Sequence, residues 1–124
     1  MNLKSFPFGS ATAQAAALRK GQVSSVELLK AYLERVDRFN PALNALAVDD
    51  RKAAMTRARA ADRALAKGEV WGPLHGLPMT VKESFDLAGQ PTTWGHLPRK
   101  DHAAASDALA VDRLKAAGAV VFGK

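Results

Sequence analysis

The hydrophobic pattern in the first half of the chain is helical. Four apolar side chains recur at intervals of three or four residues: Val26, Leu29, Leu33 and Val36. This spacing places them on one face of a helix. The preceding Ser24-Ser25-Val26-Glu27 matches a capping box, in which Ser24 and Glu27 satisfy each other's backbone amides. The pattern predicts a helix that starts here and ends near Asn40-Pro41.

Two more helices are predicted on either side of this one. The first spans residues 10–20, with Ser10 as its N-cap and Gly21 just beyond its end. The other runs from about residue 50 to residue 67 and stops at Gly68. Three helices therefore precede the first predicted strand.

Two short apolar runs in the second half of the chain predict buried strands. The first, residues 77–82, follows a turn-rich segment and places Lys82 at its carboxyl end. The second, residues 119–122, follows a helix that Ser106 is predicted to cap. A helix leading into a β-branched strand is typical of an α/β unit with parallel strands, so the predicted fold class is α/β.

The predicted elements do not make a complete set of layers. Two candidate strands and three amphipathic helices leave apolar faces and strand edges without cover, and the chain ends with the second strand at Lys124. We interpret residues 1–124 as one segment of a truncated domain.

Composition narrows the class of protein. The chain is 48% hydrophobic and 24% charged, as in soluble globular proteins, and no apolar run is long enough for a signal peptide or a membrane span. The absence of cysteine excludes disulfides, a thiol nucleophile and zinc–thiolate sites, and it fits a reducing compartment. We therefore expect a cytoplasmic protein that does not contact a membrane.

The net charge of +6 has two interpretations. Six basic residues lie in the predicted third helix: Arg51, Lys52, Arg57, Arg59, Arg63 and Lys67. A solvated helix face explains them adequately, and a small basic module that binds nucleic acid is the alternative.

Other candidate sites have simpler explanations. Three histidines lack the spacing of a metal site and are interpreted as loop residues: His75, His96 and His102. Residues 118–124 match most of a phosphate-binding loop motif. Such a loop follows a strand and precedes a helix, whereas these residues are strand formers that follow a helix, so the match is rejected. Trp71 and Trp94 are expected to be packing residues.

From the residues alone, Lys82 is an ordinary lysine at a strand end, flanked by Glu83 and Asp86. Most such lysines are structural. The surrounding sequence changes that interpretation. Four blocks resemble the amidase signature family in order and spacing: NPALNA (40–45), GPLHGLPMTVKESFDLAG (72–89), QPTTWG (90–95) and ASDALAVDRLKAAGAVVFGK (105–124). Several blocks in the right order are far more specific than one short motif.

The resemblance implies the amino-terminal part of a fold in which helices surround a large mixed sheet. It also implies a reaction, hydrolysis or transfer at the carbonyl of a small-molecule amide, by a serine nucleophile, a bridging serine with a cis peptide bond and a neutral lysine. Lys82 matches that catalytic lysine. No cofactor or metal is implied, since side chains and backbone amides supply the proton transfer and the oxyanion stabilisation.

The resemblance also implies what this segment lacks. The two family serines lie in a glycine- and serine-rich stretch downstream, and no such run occurs here. By itself the segment is predicted to be inactive, and its exposed apolar surface could bind a carboxyl-terminal partner chain or a second copy. Many relatives carry Asp-Asn where this chain has Glu83-Ser84, so the hydrogen bonding next to Lys82 is expected to differ.

Overall fold

The computed structural model describes residues 7–124. Within them the chain forms four α-helices and two short strands, in the order α1 (Ala11–Arg19), α2 (Ser25–Leu43), α3 (Arg51–Ala66), β1 (Pro78–Met79), α4 (Leu109–Ala116) and β2 (Val120–Val121). A short 3-10 turn, Leu97–Arg99, lies in the loop between β1 and α4. Helices pack on a parallel pair of strands, so the α/β prediction is confirmed.

The first two helices begin as predicted. Ser10 caps α1, and its Oγ accepts a hydrogen bond from the Ala13 N–H at 3.2 Å. The capping box of α2 is complete: Ser24 Oγ accepts from the Glu27 N–H at 3.1 Å, and Glu27 Oε2 accepts from the Ser24 N–H at 2.9 Å. These local hydrogen bonds satisfy amides that have no partner inside the helix.

The predicted end of α2 near Asn40-Pro41 is wrong. The helix continues through Pro41 to Leu43 and ends at Asn44, whose φ of 48° is left-handed. Pro41 lies in the last turn, where it removes a single backbone hydrogen bond, and the Asn44 N–H still bonds to the Asn40 carbonyl at 2.7 Å. Because the turn closes without the missing N–H, the proline does not stop the helix.

Helix α3 lies where it was predicted, and Gly68 follows its end with a φ of +78°. One face of α3 is buried and consists of small side chains: Ala54, Ala58, Ala61 and Ala64. Ala54 and Ala58 share a core cluster with Leu29 and Leu33 of α2. The small alanine side chains allow the two helices to pack closely, with leucines filling the space between them.

The basic side chains of α3 are mostly solvent-exposed, as expected for a solvated face, but Arg57 is an exception. It donates hydrogen bonds to the carbonyls of Ala119 and Lys115, and its guanidinium lies 4.9 Å from the centre of the Trp71 ring. Desolvation lowers the pKa of Arg57 below its ordinary value. This arginine joins α3 to the end of α4 and to the residue before β2.

The two strands pair in parallel, with Pro78 opposite Val120 and Met79 opposite Val121. Both are shorter than predicted, and β1 ends before Lys82. One further backbone bond, from the Val81 N–H to the Gly123 carbonyl at 3.1 Å, continues the pairing beyond β1. The chain then turns, because the Phe85 N–H bonds to the Lys82 carbonyl at 3.0 Å.

The prediction that Ser106 caps the last helix is wrong. Helix α4 begins at Leu109 with Ala108 in the N-cap position, and no side chain caps it. The approach to α4 is held by tertiary contacts instead: the Ala108 N–H bonds to the Asp86 carbonyl, and Asp107 accepts from the Ala88 N–H at 2.8 Å. None of the helices in residues 7–124 combines the length and the hydrophobicity needed to cross a bilayer.

Candidate active-site lysine and its surroundings

Lys82 lies just after β1, on the exposed turn that follows the parallel pair. Within residues 7–124 its side chain makes no hydrogen bond or ion pair, and it is exposed to solvent. The amine is therefore free to receive a partner. The backbone at Lys82 is held by hydrogen bonds although its side chain is not: the Val81 N–H donates to the Gly123 carbonyl, and the Lys82 carbonyl accepts from the Phe85 N–H.

Glu83, the next residue, binds the loop formed by residues 91–95. Its Oε1 accepts from the Thr93 N–H at 2.6 Å and from Thr93 Oγ1 at 3.3 Å, while Oε2 accepts from the Trp94 N–H at 3.0 Å. Desolvation raises the pKa of Glu83, but the hydrogen bonds from Thr93 and Trp94 and the charge of Lys124 outweigh it, so its pKa lies below the usual value. Glu83 is therefore an ionised acceptor.

Lys124 binds the same loop from the end of β2. Its side chain is only 4% exposed, and Nζ donates to the Pro91 carbonyl at 2.5 Å and to Thr92 Oγ1 at 2.8 Å. Burial lowers the pKa of Lys124, while the negative charges of Glu83 and Asp86 oppose that shift. Lys124, which ends the segment that matches part of a phosphate-binding motif, is thus a buried residue that binds the loop of residues 91–95.

The expectation that Trp94 is a packing residue is wrong within this chain. Its side chain is 71% exposed, and its φ of 57° is left-handed, which is rare for a bulky residue. Trp71 does pack: it is half-buried, with its ring edge-on to His75 at 5.0 Å between centroids.

Within residues 7–124 the three histidines are not grouped with other potential metal ligands. His75 is buried; its Nδ1 accepts from the Trp71 N–H at 3.1 Å and its Nε2 lies 3.0 Å from the Ala61 carbonyl, so the ring is fully occupied. His96 and His102 are exposed loop residues. No group of three potential metal ligands occurs in residues 7–124.

The described serines have other roles or none. Ser10 and Ser24 cap helices, and the buried Ser25 donates to the Gly76 carbonyl at 2.6 Å. Ser84 and Ser106 make no hydrogen bond among residues 7–124, and neither is bonded to Lys82. Ser5 lies outside the described residues.

The sequence indicates Lys82 as a site residue but does not indicate the roles of Glu83 and Lys124. An acidic residue next to the lysine and a lysine at the end of an apolar strand were both visible. Nothing in their spacing indicates that both reach the same loop, because residues 91–95 approach them only through tertiary folding. The one available signal concerned Lys124: a lysine at the end of a strand that is predicted to be buried needs polar partners.

The fold matches one part of solved amidase structures. The peptide amidase of Stenotrophomonas maltophilia superimposes with a TM-score of 0.83 at 35% sequence identity, over 93% of this chain and 24% of that one.

Sequence comparison gives the same result. The Amidase family profile matches residues 27–124, and the chain belongs to the amidase family, whose amidase signature was expected from the sequence blocks. The indoleacetamide hydrolase of Bradyrhizobium diazoefficiens is 48% identical over 114 residues, and the acylamidase of Rhodococcus erythropolis is 40% identical over 115. The chain covers 22% and 24% of the lengths of those two proteins.

Proposed function

We propose that this segment supplies the proton-accepting lysine, Lys82, of an enzyme that hydrolyses small carboxylic amides. The proposal depends above all on the family match over residues 27–124, which includes Lys82 and the sequence blocks around it. The structure adds two supporting features: a lysine without partners at the end of a parallel pair, and an ordered loop attached to the neighbouring residue.

In the proposed reaction, a serine hydroxyl attacks the amide carbonyl carbon. Its proton passes through a bridging serine to the neutral amine of Lys82, and a bond forms between the serine oxygen and that carbon. The proton then returns to the leaving nitrogen as the carbon–nitrogen bond breaks, and water later hydrolyses the acyl-serine. Both serines belong to the part of the enzyme outside these 124 residues.

The surroundings of Lys82 suggest where that part packs. Large apolar side chains are exposed on the same stretch of chain: Phe85, Trp94 and Leu97. Covering this surface would remove water from Lys82, and desolvation favours the neutral form of a lysine. We therefore place the remainder of the enzyme, continuous with this chain or supplied as a carboxyl-terminal partner chain, over residues 82–97.

The names of the relatives support a substrate class. The names indoleacetamide hydrolase and acylamidase both refer to amides, so a small carboxylic amide is the substrate class that we propose. We place the enzyme in the cytoplasm, which a sequence without cysteine fits.

A fusion enzyme tests this proposal. Residues 1–124 replace the matching amino-terminal part of the B. diazoefficiens indoleacetamide hydrolase, which is 48% identical over this region. We expect the fusion enzyme to release ammonia from indoleacetamide, whereas the 124-residue chain alone releases none. Co-expression of the two parts as separate chains should give the same activity if the partner can be a second chain.

The result that would overturn the proposal is a soluble, folded fusion enzyme that cleaves no amide in a panel of aryl and aliphatic amides. The parent hydrolase, assayed on the same panel, shows that the panel is adequate. Circular dichroism and gel filtration establish folding independently of activity, so an inactive but native-like fusion enzyme counts against the function and not merely against the design.

A further inference from the structure

Two charged side chains bind one loop. Glu83 follows β1 and Lys124 follows β2, and both reach residues 91–95. Since the strands are parallel, their carboxyl ends lie at the same edge of the pair, which brings the acceptor and the donor to the same loop. We refer to Glu83, Lys124 and residues 91–95 as the loop clamp.

The carboxylate side of the loop clamp is specific in geometry. Each oxygen of Glu83 accepts one of two consecutive backbone N–H groups, those of Thr93 and Trp94. Consecutive N–H groups that converge on one anion form a nest, and hydrogen bonds to a charged acceptor are stronger than neutral ones. Trp94 is held here at a φ of 57°, and a strained backbone of this kind persists only where its surroundings enforce it.

The lysine side of the loop clamp is buried. Lys124 is 4% exposed and its partner Thr92 only 2% exposed, so their hydrogen bond is shielded from water. A buried ammonium that loses its acceptors is costly. The backbone of Lys124 is fixed as well, because its N–H and its carbonyl both bond to Val48. Lys124 therefore connects the loop to the segment between α2 and α3.

The loop clamp bears on Lys82 through the chain itself. Lys82 and Glu83 are neighbours, with Cα atoms about 3.8 Å apart, so anchoring the Glu83 side chain restricts the orientation of the peptide that carries Lys82. Within residues 7–124 the Lys82 side chain makes no hydrogen bond or ion pair, so among these residues only its backbone is held in place.

We propose that Glu83 and Lys124 are positioning residues, which fix the loop of residues 91–95 beside Lys82 and hold the lysine backbone in the orientation that proton transfer needs. This inference rests on the proposed function of Lys82. Neither residue is assigned a part in the proton transfer.

The test compares Glu83→Gln with Asp62→Asn in the fusion enzyme. Asp62 is a matched control, because its two oxygens also accept two consecutive backbone N–H groups, those of Ser25 and Val26, at the start of α2. Each substitution puts an NH₂ group opposite one of the N–H donors. Both variants should lose thermal stability, but Glu83→Gln alone should lower kcat, by roughly tenfold, with little change in KM. A misplacement of about 1 Å can cost up to 10²-fold.

Two further variants sharpen the comparison. Glu83→Asp keeps the carboxylate and should recover most of the kcat lost in Glu83→Gln. If Glu83 only stabilised the fold, the Glu83→Asp and Glu83→Gln enzymes would have equal kcat values when compared at equal thermal stability. Lys124→Met keeps the length of the side chain without its charge and should also lower kcat. In the 124-residue chain, Glu83→Gln should accelerate hydrogen exchange at the Thr93 and Trp94 amides, which Asp62→Asn leaves unchanged.

The outcomes separate this inference from the proposed function. If Lys82→Ala abolishes activity while Glu83→Gln and Asp62→Asn have equal kcat values, the positioning role is wrong and the function stands. If Lys82→Ala is as active as the unsubstituted fusion enzyme, the function is wrong and the positioning role falls with it. Unchanged exchange at Thr93 and Trp94 in Glu83→Gln would show that the loop clamp does not hold the loop.

Discussion

Replacing Lys82 with alanine in the fusion enzyme is expected to lower kcat for indoleacetamide by about 10²- to 10⁴-fold, the range that positioned proton transfer contributes. The side chain is exposed and without partners among residues 7–124, so its removal leaves the packing of this segment unchanged. KM should stay close to that of the unsubstituted enzyme, because the lost interaction is one made in the transition state.

Two further variants identify what the lysine contributes. Lys82→Arg keeps a positive charge, but a guanidinium stays protonated and cannot accept a proton, so it should be as inactive as Lys82→Ala. Lys67→Ala removes an exposed lysine just after α3 and should keep full activity. A fully active Lys82→Arg enzyme would show that charge alone, rather than proton transfer, is what this position supplies.

The largest expected effect on stability belongs to Gly118, which precedes the short stretch leading into β2. Its φ is +103°, and a Cβ at this position would lie 2.6 Å from the His75 Cα and 2.8 Å from the His75 nitrogen. These are backbone atoms that cannot rotate away. Gly118→Ala therefore combines a disfavoured backbone conformation with steric overlap and should destabilise the 124-residue chain by about 3 kcal/mol or more.

Gly68→Ala provides the matched control for that prediction. Gly68 also has a positive φ, +78°, but a Cβ there would meet no atom within 4 Å. Gly68→Ala should therefore lower the free energy of unfolding only by the cost of its backbone conformation, about 1 kcal/mol. Urea unfolding followed by circular dichroism measures both. If Gly118→Ala and Gly68→Ala lower the free energy of unfolding equally, the close approach of Gly118 to His75 is absent in solution.

Local signals in the sequence were sufficient for most of the helices. Ser10 and the Ser24–Glu27 capping box fix the starts of α1 and α2 through hydrogen bonds between near neighbours, and Gly68 ends α3 by its own conformational freedom. Where a helix start depends on long-range contacts, the prediction was wrong. Ser106 is not the cap of α4, because Asp86 and Asp107 hold that approach through residues distant in sequence.

The two strands were predicted correctly in kind but not in extent. Apolar runs at residues 77–82 and 119–122 indicated two buried strands, yet only Pro78–Met79 and Val120–Val121 are paired as strands. The apolar character of a run shows burial, and it does not show how many of its residues find a neighbouring strand. Val81 makes one more backbone bond before the turn at Lys82.

The candidate site was predictable only in part. Lys82 was found by resemblance over several sequence blocks, because a lysine at a strand end has no signal of its own. The exposure of Trp94 contradicts an expectation based on the usual behaviour of tryptophan. The contacts of Glu83 and Lys124 with residues 91–95 span tertiary distances, which periodicity and capping rules do not address.

The measurement that tests the central claim most directly is chemical restoration of the amine at position 82. Residues 1–124 contain no cysteine, so Lys82→Cys adds a single thiol to this segment, and aminoethylation converts it into a side chain nearly identical to lysine. Indoleacetamide hydrolysis by the Lys82→Cys fusion enzyme should be nearly absent before alkylation and should recover after it, while the unsubstituted fusion enzyme treated in the same way is unchanged. Full activity of Lys82→Cys before alkylation, or no recovery after complete alkylation of a folded enzyme, would contradict the assignment of proton transfer to Lys82.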